Sequence, residues 1–182
     1  MKNKVYKISA LIIFLCLFSQ NVFAKGKTAK KDKEKTENQK LTFTSVDIYG
    51  NTVDSKEFFA KKDLTVINLW GTFCNPCIRE MPQLAQWDKE LPKNVQLLGI
   101  VGDVSSLEET ETLNIMKDFF KKLDLTYVNV LSSDSIKSFT SQFQYVPTTI
   151  LVDKNGNVIG EPIVGAHVNK YKNAVENYLG KK

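Results

Sequence analysis

The stretch LTVINLWGTFCNPCIREMP, residues 64–82, decides the fold of this chain. Leu64 to Leu69 is an apolar, β-branched run that reads as a buried strand. It ends in Trp70-Gly71, and two cysteines spaced Cys-x-x-Cys follow where a helix begins. A strand therefore delivers a dithiol to a helix N-terminus, with Cys74 and Cys77 one turn apart and close enough to bond. Pro76 lies in the first turn, where its missing N–H costs nothing. The free N–H groups and the positive end of the helix dipole favour a thiolate on Cys74.

Working outward, the chain has 182 residues, enough for one domain with a full core once an N-terminal leader is set aside. Residues 1–24 carry Lys2, Lys4 and Lys7, an apolar run from Ile8 to Phe18, and an Ala24 that suits cleavage, the pattern of a secretory signal. Its apolar run is shorter than the roughly 18 residues that span a bilayer, and an uncleaved anchor is the alternative. Removal of the leader takes Cys16 with it, so Cys74 and Cys77 are the only thiols of the mature chain. An exported chain with one Cys-x-x-Cys pair points to dithiol catalysis, because structural disulfides gain more by closing longer loops.

Residues 25–40 (KGKTAKKDKEKTENQK) hold no large apolar side chain and read as a charged, disordered linker. The formal charge of +5 is concentrated there and in the leader, since residues 41–182 carry 15 basic against 17 acidic side chains. The folded part thus has no electrostatic footprint for nucleic acid.

The domain is expected over 41–182. Phe43 to Val53 with a turn at Gly50-Asn51 reads as a hairpin, and Asp54 or Ser55 caps a short helix. The helix after Cys74 runs to about Leu91, with a kink expected at Pro82. Val95–Val101 is a central strand, followed by an acidic stretch and a helix carrying Leu113, Met116 and Phe120. Thr126–Leu131 is a third strand, and Ser133-Asp134 caps a helix reaching about Phe143. Tyr145–Asp153 and Val158–Val164 form a hairpin across Lys154-Asn155-Gly156-Asn157, and a helix from His167 to Leu179 closes the chain. This order implies an α/β fold with helices on both faces of a mixed sheet.

Trp70-x-x-x-Cys74-x-x-Cys77 after a buried strand, Pro82 in the following helix, and the distant Val146-Pro147-Thr148 together resemble a thioredoxin-like fold. The continuation Arg79-Glu80-Met81-Pro82, the N-terminal β-hairpin and the inserted helix resemble the extracytoplasmic TlpA/ResA-type branch of thiol-disulfide oxidoreductases. The resemblance implies that Cys74 attacks a client disulfide and Cys77 resolves the mixed disulfide. It implies a cis peptide before Pro147, and places Trp70, Phe73, Asn75, Pro76, Val146 and Thr148 around the client. Asn68 stands where cytoplasmic thioredoxins carry a buried, proton-transferring carboxylate. The branch takes its carboxylate from the inserted segment instead, with Asp103, Glu108, Glu109 and Glu111 available and Glu108 the choice.

The implied activity is reduction of disulfide-containing client proteins outside the cytoplasm, including cytochrome c maturation, with electrons from a membrane thiol donor. The chain is expected to act as a monomer, with the Cys74–Cys77 disulfide as its only redox group and no metal. An exported oxidant or isomerase is the first alternative. A copper-delivery protein using His167 is the second, although such relatives space their cysteines Cys-x-x-x-Cys.

Overall fold

The computed structural model describes residues 39–180. The leader and residues 25–38 of the expected linker lie outside them. Thr44–Val46 (β1) and Thr52–Asp54 (β2) form the antiparallel hairpin. Ser55–Ala60 (α1) follows, capped by the Asp54 side chain, which accepts from the Lys56 and Glu57 N–H groups. Then come Leu64–Trp70 (β3), Asn75–Glu90 (α2), Val95–Val101 (β4), Thr110–Leu123 (α3), Val128–Leu131 (β5), Asp134–Thr140 (α4), Thr148–Asp153 (β6), Val158–Val164 (β7) and Val168–Leu179 (α5).

The main sheet has the order β5-β4-β3-β6-β7. β5, β4 and β3 are parallel, while β6 and β7 each run antiparallel to their neighbours. Every residue of β3 is buried, as its position at the centre of the sheet requires. Alternation splits its side chains between two cores. Ile67 and Leu69 pack with Phe43, Val53, Phe59 and Ile136, so the hairpin, α1 and α4 cover one face. Leu64 and Val66 pack with Leu84, Trp87, Tyr171 and Val175, which puts α2 and α5 on the other. On that second face Trp70 meets Phe120 of α3, with ring centroids 5.8 Å apart. Among the described residues no helix is long and apolar enough to cross a membrane.

The departures from the expected boundaries are local. Gln39 and Lys40, assigned to the linker, are already attached to the domain. The Val158 N–H donates to the Gln39 carbonyl at 2.9 Å, and Lys40 bridges to Asn157. Gly156, at φ 88°, lets this segment approach closely, since a Cβ there would stand 2.8 Å from the Leu41 carbonyl. α4 stops at Thr140 rather than Phe143, and β6 begins at Thr148 rather than Tyr145, just after the cis peptide between Val146 and Pro147. α2 is continuous through Pro82.

One row across the sheet is polar. Thr149 of β6 lies opposite Asn68 of β3, Asn68 is in register with Gly99 of β4, and Gly99 with Asn129 of β5. Gly99 makes room for the Asn129 side chain: a Cβ on it would fall 1.8 Å from Asn129 Oδ1. That oxygen accepts the Trp70 indole N–H at 3.0 Å, supplying the partner a buried indole needs. Gly99→Ala must therefore expel the Asn129 amide and orphan the indole. We expect a loss of about 2–4 kcal/mol, read as a lower urea midpoint at unchanged slope.

Candidate active site

β3 ends at Trp70, and the chain turns through Gly71-Thr72-Phe73 to reach the tip of α2. Cys74 is the N-cap of that helix, and its sulfur accepts the Cys77 N–H at 3.2 Å. The two cysteines form a disulfide with an S–S distance of 2.06 Å and a Cα–Cα distance of 5.3 Å. Cys77 is fully buried and Cys74 is 5% exposed, so the outer sulfur is the one an incoming group reaches. Asn75 and Pro76 are exposed beside it. Phe73, 72% exposed, folds its ring back over Gly71, where a Cβ would meet the ring at 2.7 Å.

The segment Tyr145 to Thr148 faces this tip. Val146 packs against the cluster that contains both cysteines, Trp70 and Met81. The peptide before Pro147 is cis, and the Pro147 carbonyl accepts the Gly165 N–H at 2.8 Å. The Thr148 hydroxyl donates to the Tyr145 carbonyl at 2.7 Å, so Thr148 shapes the loop from within and is itself buried. Tyr145 is 66% exposed, a second apolar ring on the rim that no sequence motif singles out.

The inserted segment does not place a carboxylate beneath the dithiol. Glu108 is exposed, and its backbone N–H is held by the Ser106 hydroxyl. Glu109 accepts the Ser105 and Ser106 N–H groups and so shapes its own loop. Asp103 reaches the strand-to-helix turn, where it accepts both the N–H of Thr72, at 3.0 Å, and its hydroxyl, at 2.5 Å.

The carboxyl buried on the helix of the dithiol is Glu80, which sequence reasoning passed over. It lies three residues beyond Cys77 on α2, on the same helix face, and is 2% exposed. Asn68 Nδ2 donates to Glu80 Oε1 at 2.8 Å and to the Thr149 hydroxyl at 3.2 Å. The Tyr171 hydroxyl contacts Oε2 at 3.0 Å. Burial raises the Glu80 pKa above its ordinary 4.5, against the opposing hydrogen bonds from Asn68 and Tyr171. The signal was present in the spacing, because Cys77, Met81 and Leu84 mark an inward face that also takes in position 80. Asn68, a buried amide in an otherwise apolar strand, needed a partner of this kind.

A cavity of about 120 Å³ lined by Pro76, Arg79, Glu80, Gln83, Ala166 and Val168 opens beside this carboxyl. His167, the only histidine, is exposed at the start of α5. Among the described residues no three His, Cys, Asp or Glu side chains are grouped to hold a metal ion.

The raised pKa has a consequence for stability. The folded chain holds the Glu80 proton more tightly than the unfolded one, so this contribution is complete below 4.5 and is lost as pH rises through the folded value. Urea unfolding of the disulfide form across pH should show that decline, and Glu80→Gln should remove it.

The redoxin family model matches residues 25–178. The thiol-disulfide oxidoreductase ResA of Bacillus cereus (strain ATCC 10987 / NRS 248) is 30% identical over 183 residues, covering 99% of this chain and 97% of that protein. ResA of Bacillus anthracis is 28% identical over 183 residues, with the same coverage of both chains. Among solved structures, the thioredoxin domain of a Bacteroides vulgatus thiol-disulfide oxidoreductase superposes with a TM-score of 0.60 at 22% identity. It covers 79% of this chain and 96% of that one. A thioredoxin-family thiol:disulfide interchange protein of Chlorobium tepidum gives 0.58 at 23%, covering 72% and 88%. Family match, fold and a dithiol at a helix tip agree: the chain belongs to the redoxin family and is a thioredoxin-fold, ResA-like thiol-disulfide oxidoreductase.

Proposed function

We propose that this protein reduces disulfides of exported client proteins, and that Glu80 handles the proton of the inner cysteine. The observation that carries this reading is the burial of Glu80 in the same helix as the dithiol, one turn past Cys77. A carboxyl there does two things. It can take the proton of an inner thiol, and its negative charge disfavours a thiolate nearby.

The Cys74 thiolate attacks one sulfur of the client disulfide, forming the mixed disulfide and expelling one client thiolate. Cys77 then gives its proton to the Glu80 carboxylate and attacks Cys74 Sγ. The mixed disulfide breaks, the second client thiolate leaves, and the client has gained two electrons. A donor thiol reopens the Cys74–Cys77 bond, and Cys77, leaving as a thiolate, recovers the proton from Glu80. The Cys74/Cys77 dithiol supplies both electrons and is regenerated by the donor thiol, so the reaction needs no further cofactor.

The exposed rings of Phe73 and Tyr145, with Asn75 and Pro76, form the rim a client segment meets, and Val146 lies at its inner edge. Trp70 is fully buried and supports the dithiol from below. The proposal extends to a monomer working outside the cytoplasm, secreted or held at the membrane by its leader and re-reduced by a membrane thiol donor. Its cysteine-pair clients would include apocytochrome c before haem attachment. Similarity to ResA proteins and the leader-like N-terminus support this extension.

The direction of electron flow rests on charge. Strong disulfide oxidants owe their potential to a stabilised thiolate. Here the neighbouring groups are acidic: Glu80 beneath the pair and Asp103 bound to Thr72, two residues before Cys74. Titration of the pair against glutathione or dithiothreitol should therefore give a potential near that of thioredoxin, about −270 mV. A value near about −120 mV would make the protein an oxidant.

A further inference from the structure

We infer that the Tyr171 hydroxyl transmits the protonation state of Glu80 to the loop Gly165-Ala166-His167 and through it to the cis-proline loop. Tyr171 is thereby a positioning residue for the dithiol reaction. The inference rests on Glu80 being the proton acceptor proposed above.

Four polar groups surround the Tyr171 oxygen: the Thr149 hydroxyl bonds it from β6, and of the other three the two acceptors, the Gly165 carbonyl and Glu80 Oε2, share one phenolic hydrogen unless Glu80 brings its own. The Gly165 carbonyl lies at 2.6 Å, Glu80 Oε2 at 3.0 Å, and the His167 backbone N–H donates to the oxygen at 3.1 Å. A phenol has a single hydrogen. The Gly165 carbonyl can only accept, so at 2.6 Å it takes that hydrogen. The contact with Oε2 then closes only if Glu80 supplies a hydrogen of its own. Glu80 Oε1 already accepts from Asn68, which leaves Oε2 as the place for the proton. The disulfide form thus has a consistent set of bonds when Glu80 is neutral. That is the state expected after Cys77 has passed its proton on.

Ionised Glu80 requires the other arrangement. The Tyr171 O–H turns to Oε2, and the Gly165 carbonyl is left facing a lone pair at a distance that suits only a hydrogen bond. Gly165 is also the residue whose N–H holds the Pro147 carbonyl at 2.8 Å. One residue therefore joins the hydroxyl that senses Glu80 to the proline loop that packs on the dithiol.

Of the other titratable or charged groups, His167 belongs to this loop, its imidazole lying against Gly165, where a Cβ would stand 3.2 Å from Nε2, so the Gly165 carbonyl is also followed in a His167→Gln background. Tyr127 is buried, with its pKa raised by burial first and then by the charges of Glu80 and Asp88. Arg79 lines the mouth of the small cavity beside Glu80, and His167 meets Tyr171 through its backbone N–H. Cys77, one turn earlier on α2, is the proton source. Burial also pushes the Tyr171 hydroxyl up to about 12, so it remains a donor throughout the range in which Glu80 titrates.

The test is NMR on the full chain in its disulfide form, following the Glu80 carboxyl carbon and the Gly165 carbonyl carbon across pH. In the wild type the two should titrate with one midpoint. Tyr171→Phe keeps the ring but loses the hydroxyl, so Glu80 should still titrate, with its midpoint moved upward, while the Gly165 response disappears. A Gly165 carbonyl that ignores Glu80 in the wild type, or that still follows it in Tyr171→Phe, would overturn the inference. Alkylation of Cys77 across pH in reduced Glu80→Gln tests the acceptor reading separately. A profile changed from wild type supports it. An unchanged profile would remove Glu80 as acceptor, whatever the NMR result for the Tyr171 coupling.

Discussion

The interaction on which the rest of this site depends is the burial of one carboxyl, that of Glu80, one turn past Cys77 on the helix that carries the dithiol. An ionised carboxylate deprived of water is expensive unless it is hydrogen-bonded, and a neutral one still needs partners for both oxygens. The fold supplies them from two directions: Asn68 from the central strand, itself bonded to Thr149, and Tyr171 from the last helix. These groups occupy positions that would otherwise be filled by apolar side chains.

A second polar connection starts from Trp70, which packs with both cysteines. Trp70 fills the space below the cysteines and packs on Phe120, but its indole N–H is satisfied only because Gly99 leaves space for Asn129. At the surface, Asp103 ties the Thr72 backbone and hydroxyl to the end of β4. The turn that presents Cys74 is therefore fixed from β4, the Glu80 carboxyl is bonded from β3 and α5, and the proline loop is held by Gly165. Elements distant in sequence each hold one side of a small reacting centre. That arrangement fits a catalyst whose sulfurs must exchange partners without the scaffold moving far.

Much of this was legible in the sequence, and the reasons differ by residue. The largely apolar character of Leu64–Leu69 and Val95–Val101 reflects strands buried on both faces, and each lies inside the sheet. Cys74, Cys77 and Pro147 carry patterns whose chemistry is local or whose motif is distinctive. Glu80 escapes a sequence reading because the inserted segment offers acidic residues in plenty, all of them exposed or tied to their own turns. Its partner Tyr171 is 91 positions away, and no local pattern pairs the two. Gly99 is similar: its smallness has meaning only because Asn129 lies two strands from Trp70. The ends of α4 and β6 depend on the turns around Phe143 and Pro147, which propensity does not place to the residue.

The central claim is that proton movement at Glu80 accompanies opening and closing of the Cys74–Cys77 bond. A redox-induced infrared difference spectrum of the full chain addresses it directly, with Glu80→Gln as the control. Opening the disulfide should remove a protonated-carboxyl band and create a carboxylate band, and both changes should be absent from Glu80→Gln. A spectrum with no carboxyl change between the two redox states would contradict the account.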